Sequence, residues 1–258
     1  MSSGRIELKF DGHVAHVTID DVARHNALTL AMWESLLAAF HAIDDHSQAR
    51  VCILRGAGDR AFVSGANISE FDKTRSTETA IKYYNDTVRE VQQAIFRCRV
   101  PVIAAISGVC YGGGLGLALS CDLRYAAPHS RFCMPAARMG LGYDLENMRS
   151  ILNSLGHQGA SEAFFTARVY EAKHAERLGM VMSVVDDVFG HCQQLADEIA
   201  QNAPLTIQAA KQSLVALAEN KQDFTSVISS IDACFKSTDY AEGRLAFAQK
   251  RSPQFTGQ

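Results

Sequence analysis

The alternation of apolar and polar residues predicts short strands in the first half of the chain. Residues 6–10 and 13–19 alternate around Asp11-Gly12, which is the pattern of a β-hairpin. Continuous apolar runs at 51–54 and 102–106 are typical of strands that are buried on both faces. Further short strands are predicted at 121–126, 131–134 and 181–185.

A period close to 3.6 residues predicts the helices. The first covers 29–43 with Thr29 as its cap, and the second covers 78–97 and ends before Pro101. Beyond residue 144 the pattern is almost wholly helical, with helices predicted at 145–155, 159–165, 171–178, 188–201, 204–218 and 224–235. A strand, strand, helix rhythm followed by helices indicates an α/β core with a helical C-terminal part.

Composition restricts the function more than it defines it. The 258 residues are 47% hydrophobic and 21% charged, and the formal charge is -3. These values are those of a soluble globular protein and predict neither nucleic-acid nor membrane binding, although a small acidic ligand needs only a local site. The seven cysteines are scattered without a CxxC pair, which argues against a zinc site. With no signal-peptide pattern and no membrane-length apolar run, we expect a cytoplasmic protein.

The stretch YGGGLGLALSCD, at 111–122, follows a buried strand and begins an apolar helix. It lacks the Lys-Ser or Lys-Thr of a P-loop, and its glycines do not match a dinucleotide fingerprint. Two interpretations remain open. The glycines allow close helix packing, or they let a substrate oxygen approach the unpaired N–H groups at a helix N-terminus.

A second loop favours the donor interpretation. The stretch AFVSGANISEF, at 61–71, also follows a buried strand, has a glycine at its turn and precedes a helix start. Two backbone donors from two loops form an oxyanion hole, which stabilises negative charge that develops on a carbonyl oxygen.

Together AFVSGANISEF and PVIAAISGVCYGGGLGLALSCDLRYA resemble the motifs of the crotonase superfamily, the enoyl-CoA hydratase/isomerase proteins. The resemblance continues through RFCMPAARMGLG to the tail AFAQKRSPQF and covers nearly the whole chain. It implies an α/β fold built as a spiral of ββα units over 1–195. Residues 196–258 would form a helical part for trimerisation and for covering CoA. It also implies a homotrimer or hexamer that acts on an acyl-CoA thioester.

The resemblance assigns site residues as well. The backbone N–H groups of Ala66 and Gly113 would form the oxyanion hole for the thioester oxygen. No metal or redox cofactor would be needed, because CoA arrives as part of the substrate. The positions that match CoA-contacting segments of the family are Arg24, Asn26, Ala27, Ser64, Asn67, Ile68, Phe247 and Lys250.

The chain departs from the family pattern at both glutamates with which hydratases hold and split water. The corresponding residues are Gly116 and Ala136. Asp144 is eight residues beyond Ala136. Near this position dienoyl-CoA isomerases carry a carboxylate that transfers a proton, and 4-chlorobenzoyl-CoA dehalogenases carry a carboxylate that acts as the nucleophile. Asp144 is equally suited to cap the following helix. Glu146 is a further candidate carboxylate, and Tyr143 matches a tyrosine of methylmalonyl-CoA decarboxylase-like members or forms a wall of the acyl pocket.

Two hypotheses of different classes follow. In the first, the protein is an acyl-CoA enzyme that works through a stabilised thioester enolate, with isomerisation, decarboxylation or other cleavage suiting one carboxylate better than hydration. In the second, it binds acyl-CoA without catalysis, because both usual glutamates are absent. Tyr83 or Tyr84, on the predicted helix 78–97, and Tyr111 are candidates for shaping substrate choice.

Overall fold

The structure is a computed structural model that describes residues 4–74, 76–143 and 145–258, apart from the side chains of Asp72, Lys73 and Glu146. The strands are β1 Arg5–Asp11, β2 Val14–Asp20, β3 Val51–Gly56, β4 Ala61–Val63, β5 Val102–Ile106, β6 Val109–Tyr111, β7 Leu123–Ala126, β8 Arg131–Cys133, β9 Tyr170–Glu171 and β10 Ser183–Val184. The helices are α1 Leu30–Asp45, α2 Phe71–Thr74, α3 Glu78–Arg97, α4 Gly113–Ser120, α5 Ala136–Met139, α6 Leu145–Thr166, α7 Ala172–Arg177, α8 Val188–Gln201, α9 Pro204–Ala218, α10 Thr225–Lys236 and α11 Thr238–Gln249.

Two sheets organise the core. In the described part of the chain one sheet has the order β1-β2-β3-β5-β7-β10 and the other has the order β4-β6-β8-β9. The chain alternates between them, since β3, β5 and β7 join the first sheet while β4, β6 and β8, which follow them, join the second. Helices α3 and α4 separate these strand pairs, so each turn is a ββα unit. This confirms the predicted mixed α/β spiral.

Parallel pairing explains why the central strands are continuously apolar. Strand β3 pairs in parallel with β2 and with β5, and β5 pairs in parallel with β7. Helices cover both faces of such a sheet, so side chains that point either way are buried. All of β5 and nearly all of β3 are accordingly buried. At the edge, β1 and β2 form the predicted antiparallel hairpin, and Gly12 at its turn has a φ of 54°.

Capping fixes the ends of the long helices. Thr29 accepts a hydrogen bond from the N–H of Met32 at the start of α1, and Thr77 accepts one from the N–H of Ala80 at the start of α3. Each bond satisfies one of the N–H groups that lack a partner in the first helical turn. The predicted helices 29–43, 78–97, 188–201 and 204–218 are confirmed to within two residues.

Other elements differ from the prediction. The predicted strand 181–185 shortens to β10, and the two helices predicted at 145–155 and 159–165 form α6, which is kinked at Gly156. Strands β4 and β6 and helix α11 were not predicted. Three-residue strands are too short to show a period, and the apolar residues of α11 follow no single stripe. Helix α11 is instead fixed by Asp239, which accepts hydrogen bonds from the N–H groups of Thr256 and Gly257.

An ion pair joins the C-terminal helices to the core. The Lys211 ammonium on α9 donates to the Val100 carbonyl at 2.8 Å and to the Asp122 carboxylate at 2.7 Å. The same Asp122 oxygen accepts from the N–H of Val102, where β5 begins. Lys211 is only 5% exposed, and these partners offset the cost of burying its ammonium group.

No helix in the described ranges is long and apolar enough to span a bilayer.

We expect the variant Asp122→Ala to lose about 3 kcal/mol of unfolding free energy, because it leaves a buried ammonium without its counter-charge. Lys211→Met should cost less, since it removes the charge itself. Chemical denaturation measures both. Lys173→Ala, in an exposed ion pair with Glu176, is the control and should change stability by less than about 1 kcal/mol. Equal effects of Asp122→Ala and Lys173→Ala would contradict this account.

Candidate active site

The carboxyl ends of three neighbouring strands converge on one cavity. Strands β4, β6 and β8 pair in parallel, so that all three end at the same edge of their sheet. The residues that directly follow these ends line the cavity: Ser64, Gly65 and Ala66 after β4, Gly112 and Gly113 after β6, and Met134, Pro135 and Ala136 after β8. Ligand sites at the carboxyl ends of parallel strands are a general feature of α/β folds.

The loop after β4 is fixed so that the Ala66 N–H faces away from its neighbouring segment. Leu28 donates to the Gly65 carbonyl and accepts from the Asn67 N–H, which forms a parallel bridge opposite Ala66. In such a bridge the central residue directs its own N–H to the other side. Within the described ranges this N–H has no hydrogen-bond acceptor.

The glycines after β6 have distinct roles. Gly112 has φ 50° and ψ -115°, a backbone conformation that residues with a side chain rarely adopt, and it directs the chain into α4. Gly113 is the first residue of α4, and among the described residues its N–H has no acceptor either. A Cβ at Gly114 would lie 2.2 Å from the Val63 carbonyl oxygen. Both interpretations of the glycine run therefore apply, because Gly114 allows close helix packing and Gly113 offers an N–H group to the cavity.

The cavity has a volume of about 260 Å³ and largely apolar walls. Residues of α1 and α3 and the described residues 139, 141–143 and 147 form the rest of its lining. Among the described lining residues none is an acid, a base or a histidine; outside the strand ends they are Trp33, Ile68, Phe71, Tyr84, Asn85, Val88, Tyr111, Met139, Leu141, Gly142, Tyr143 and Asn147. In such surroundings the field of a backbone dipole is weakly screened.

Trp33 and Tyr84 form a rigid wall behind Gly113. The Trp33 indole N–H donates to the Tyr84 hydroxyl at 3.0 Å, and both side chains are at most 3% exposed. A Cβ at Gly113 would lie 3.1 Å from the Trp33 ring. Tyr83 points the other way, is 54% exposed and donates to Glu34. Of the two tyrosines considered from the sequence, Tyr84 is thus the one that lines the cavity.

Gln92 occupies the space where the first hydratase glutamate would extend. A Cβ at Gly116 would lie 2.5 Å from the Gln92 amide nitrogen. Gln92 belongs to α3 and is 5% exposed. At the second glutamate position, Ala136 lines the cavity with a methyl group. Neither position therefore offers a carboxylate.

The segment that carries the candidate carboxylates adjoins the cavity. Asp144 lies outside the described residues, and so does the Glu146 side chain, so their predicted roles stay predictions. Tyr143 and Asn147, which flank them in sequence, both line the cavity. The Tyr143 ring packs edge-on against Phe164 with 5.0 Å between centroids, as expected of a pocket wall.

The segment 24–27 lies beside the loop after β4, because the Ser64 N–H donates to the His25 carbonyl. Arg24 pairs with Asp21 at 3.0 Å, and 43% of its side chain is exposed, so some guanidinium donors face solvent. Asn26 is buried, and its side chain binds the Asp21 N–H and the carbonyls of Ala57 and Ala61.

The remaining residues that are predicted to contact CoA lie in different parts of the structure. Ser64 and Ile68 line the cavity, whereas the Asn67 side chain caps the turn after the loop by accepting from Ser69. Phe247 is 89% exposed and lies in a groove among the C-terminal helices, and Lys250 ends α11. The predicted CoA contacts of Ala27 and of these residues stay predictions.

Three buried cysteines of the core are not poised as nucleophiles. Burial raises the pKa of the Cys110 and Cys121 thiols well above the ordinary value, and it raises the pKa of Cys98 to about 12. A thiol with a raised pKa carries little reactive thiolate. Burial also raises the pKa of Tyr111, which keeps this phenol of the cavity wall neutral.

Several lining residues had no signal in the sequence as site residues. The sequence pattern predicts Trp33 only as a core residue of α1, and it predicts Asn85 and Val88 only as two residues of a long amphipathic helix. Met134, Met139 and Leu141 lie in loops or in the short α5. The phase of α3 could have singled out Tyr84, Val88 and Gln92 as one face, because they are spaced four residues apart.

Comparison with known proteins gives a consistent result. The sequence model of the enoyl-CoA hydratase/isomerase family matches residues 9–258. A short-chain-enoyl-CoA hydratase of Clostridium acetobutylicum is 29% identical, with 97% of each chain covered. A methylmalonyl-CoA decarboxylase of Escherichia coli is also 29% identical, over 95% of this chain and 98% of that protein. The crystal structure of an enoyl-CoA hydratase/carnithine racemase from Magnetospirillum magneticum superimposes with a TM-score of 0.94 at 34% identity, covering 100% of this chain and 97% of that one.

The contact between Gly116 and Gln92 generates a double-mutant prediction. Gly116→Ala should gain less than the about 1 kcal/mol of unfolding free energy that a Gly→Ala change inside a helix otherwise gives, since the new methyl group must displace the Gln92 amide. In the background Gln92→Ala the same change should be markedly more stabilising, so the two effects are not additive. Denaturant unfolding of the four proteins gives the coupling. Gly142→Ala is the control, because a Cβ there meets nothing within 4 Å. Additive effects would contradict the contact.

Proposed function

Because the chain belongs to the enoyl-CoA hydratase/isomerase family, we propose that it is an acyl-CoA isomerase or lyase that works through a thioester enolate without the usual hydratase glutamates. One observation carries this proposal. Two N–H groups that have no acceptor among the described residues adjoin a cavity whose described walls lack a carboxylate. The first feature supports stabilisation of an enolate oxygen, and the second argues against addition of water.

The thioester oxygen would bind between the N–H groups of Ala66 and Gly113. The second donor stands at the N-terminus of α4, where the helix dipole adds positive potential. Such fixed donors stabilise charge as it develops, because they need no reorganisation during the reaction. Trp33 and Tyr84 support this geometry by packing directly behind Gly113.

Hydration needs a base for the attacking water and an acid for the α-carbon. Gly116 and Ala136 supply neither. An isomerase needs only one group that removes a proton and returns it elsewhere on the same enolate. A decarboxylase needs less, because departing carbon dioxide leaves the electron pair of its bond on the α-carbon and forms the enolate directly.

Asp144 is our candidate for moving the proton, in agreement with its match to the dienoyl-CoA isomerase position. Its sequence neighbours Tyr143 and Asn147 line the cavity, which supports placing this carboxylate function there. A carboxylate in largely apolar surroundings has a raised pKa and transfers protons more readily near neutral pH. Glu146 is the second candidate, and Tyr143 would hold the acyl group.

The CoA part would lie along the loop after β4, on the side of segment 24–27. There Arg24 has exposed guanidinium donors suited to a phosphate, and Ser64 and Ile68 line the cavity. Phe247 and Lys250 would cover CoA from the C-terminal part. We further propose a homotrimer or hexamer, supported by exposed apolar residues on α6, where Leu145 is 83% and Phe165 81% exposed.

A second function has one specific observation in its favour. With Gly116 covered by Gln92 and Ala136 in the cavity wall, the site could bind acyl-CoA without turning it over. This protein would then act as an acyl-CoA-binding member of its family. Turnover measurements separate the two functions.

The first experiment is mass-spectrometric turnover of a panel of 2-enoyl, 3-enoyl, dienoyl, aryl and malonyl-type CoA thioesters. We expect a shifted double bond or loss of carbon dioxide on at least one member. Gain of water would contradict the proposed chemistry. Binding without turnover would favour the non-catalytic function, and absence of binding would overturn both.

The variant Gly113→Pro tests the oxyanion hole on the substrate that the panel identifies. Proline is tolerated at the first position of a helix; it removes the N–H there and places a ring carbon in front of the nitrogen. We expect turnover to fall about 100-fold or more. Gly113→Ala is the matched control, because it places the same Cβ against Trp33 and keeps the donor. If both variants lose activity equally, the steric contact and not the N–H is responsible.

The variant Asp144→Asn tests the proton carrier. We expect kcat to fall about 100-fold or more, with acyl-CoA affinity nearly unchanged, because the amide keeps the shape but takes up no proton. The comparison variant is Asp186→Asn, an exposed aspartate. Unchanged turnover by Asp144→Asn would remove this residue from the chemistry and direct attention to Glu146.

A further inference from the structure

The described walls of the cavity beside Ala66 and Gly113 are rich in aromatic residues. Five of these 20 lining residues are aromatic, whereas the aromatic share of the whole chain is 8%. They are Trp33, Phe71, Tyr84, Tyr111 and Tyr143. Leucine, isoleucine and valine supply fewer of the described walls, at Ile68, Val88 and Leu141. The cavity is therefore lined differently from an ordinary aliphatic core.

The aromatic rings come from several elements and are held in fixed orientations. The Trp33 indole N–H donates to the Tyr84 hydroxyl at 3.0 Å, which joins α1 to α3. The Phe71 ring of α2 stands edge-on to the Tyr84 ring, with 6.5 Å between centroids and an interplanar angle of 73°. In the segment after α5, Tyr143 packs in the same manner against Phe164. Because aromatic rings prefer such edge-to-face or offset pairs, a ligand ring gains contacts here that an alkyl chain does not.

The size of the cavity suits one aromatic ring together with the thioester end of an acyl group. Its volume is about 260 Å³. An apolar cavity of about 150 Å³ is enough to hold benzene, which leaves about 110 Å³ for the carbonyl group and the carbons next to it. The aromatic wall begins close to the carbonyl position, because a Cβ at Gly113 would lie 3.1 Å from the Trp33 ring. The ligand ring would therefore follow the thioester carbonyl after one or two carbons.

The polarity of the walls favours an uncharged ring. The described lining residues include no aspartate, glutamate, lysine, arginine or histidine. A charged substituent on the ring would lose its hydration there without gaining a counter-charge from these residues. Met134 and Met139 add thioether groups to the walls, and thioether sulfur makes favourable contacts with aromatic rings.

We propose that the acyl group is an uncharged aromatic ring joined through one or two carbons to the thioester carbonyl, and that Phe71 is a specificity-determining residue for it. This inference rests on the proposed function, because the thioester oxygen at Ala66 and Gly113 sets where the acyl group begins. Phe71 contributes a ring to the cavity wall without belonging to the hydrogen-bonded pair of Trp33 and Tyr84. Its replacement therefore changes the ring contacts and leaves that pair in place.

Calorimetric titration with phenylacetyl-CoA, cyclohexylacetyl-CoA and octanoyl-CoA tests the class of acyl group. The three acyl groups have the same number of carbons, and the first two also share a six-membered ring. We expect the wild-type protein to bind phenylacetyl-CoA about fivefold more tightly than cyclohexylacetyl-CoA, the usual effect of an aromatic pair. Octanoyl-CoA should bind more weakly than phenylacetyl-CoA as well, because its flexible chain also loses conformational entropy in the cavity.

The variant Phe71→Leu tests the specificity-determining residue. It should reduce the preference for phenylacetyl-CoA over cyclohexylacetyl-CoA at least twofold, because it replaces a ring by an alkyl group. Phe71→Tyr keeps a ring and should retain the preference. The matched control is Phe10→Leu in β1, since Phe10 is 37% exposed and is not among the lining residues. A Phe71→Leu protein that binds all three thioesters more weakly but keeps the preference would give Phe71 a structural role and overturn its assignment.

The remaining outcomes separate this inference from the proposed function. If the wild-type protein binds cyclohexylacetyl-CoA or octanoyl-CoA as tightly as phenylacetyl-CoA, the aromatic class of acyl group is wrong and the proposed function is unaffected. Failure to bind any of these three thioesters also overturns the aromatic class. Only failure to bind every member of the wider acyl-CoA panel as well overturns the proposed function.

Discussion

The parallel pairing of β4, β6 and β8 is the constraint on which the site depends. Parallel strands end at one edge, so the loops that follow them must meet there. Leu28 fixes the first loop by a bridge that turns the Ala66 N–H outward. The Gly112 N–H donates to the Cys133 carbonyl and extends the β6–β8 ladder up to the residue before the second donor. The way the second sheet ends thus places on one cavity two N–H groups that no described residue accepts from.

This constraint is satisfied only because a helix packs unusually close to a strand. At Gly114, α4 approaches the Val63 carbonyl so closely that no Cβ fits between them. Any larger residue would push α4 away from β4 and displace Gly113 at its first turn. Close packing and donor geometry are therefore coupled, and the two interpretations of the glycine run describe one arrangement. A displacement of about 1 Å is enough to weaken such a site strongly.

The sequence predicted the order of the major elements because their signals are local. The hairpin turn at Gly12, the cap at Thr29 and the apolar run of β5 each determine an element by themselves. The cavity has no such local signal, since its walls come from five separated parts of the chain. Ala66 and Gly113 were identified through the family resemblance, whereas Trp33 and Gln92 became visible only when the spiral brought α1 and α3 against α4. Asp144 lies outside the described residues, so the structure adds nothing to its prediction.

The exchange of a carboxylate for an amide changes which chemistry the scaffold can support. A glutamate at position 116 would place a negative charge one helical turn from the developing enolate oxygen, and its proton transfer would be directed at water. Gln92 reaches the same space from α3 with a neutral group that can bind but does not carry protons at physiological pH. Enolate stabilisation by backbone N–H groups is unaffected by this exchange, because it depends on α4 and the strand ends alone. The fold can therefore keep its two backbone donors while the position beside them changes from a carboxylate to a neutral amide.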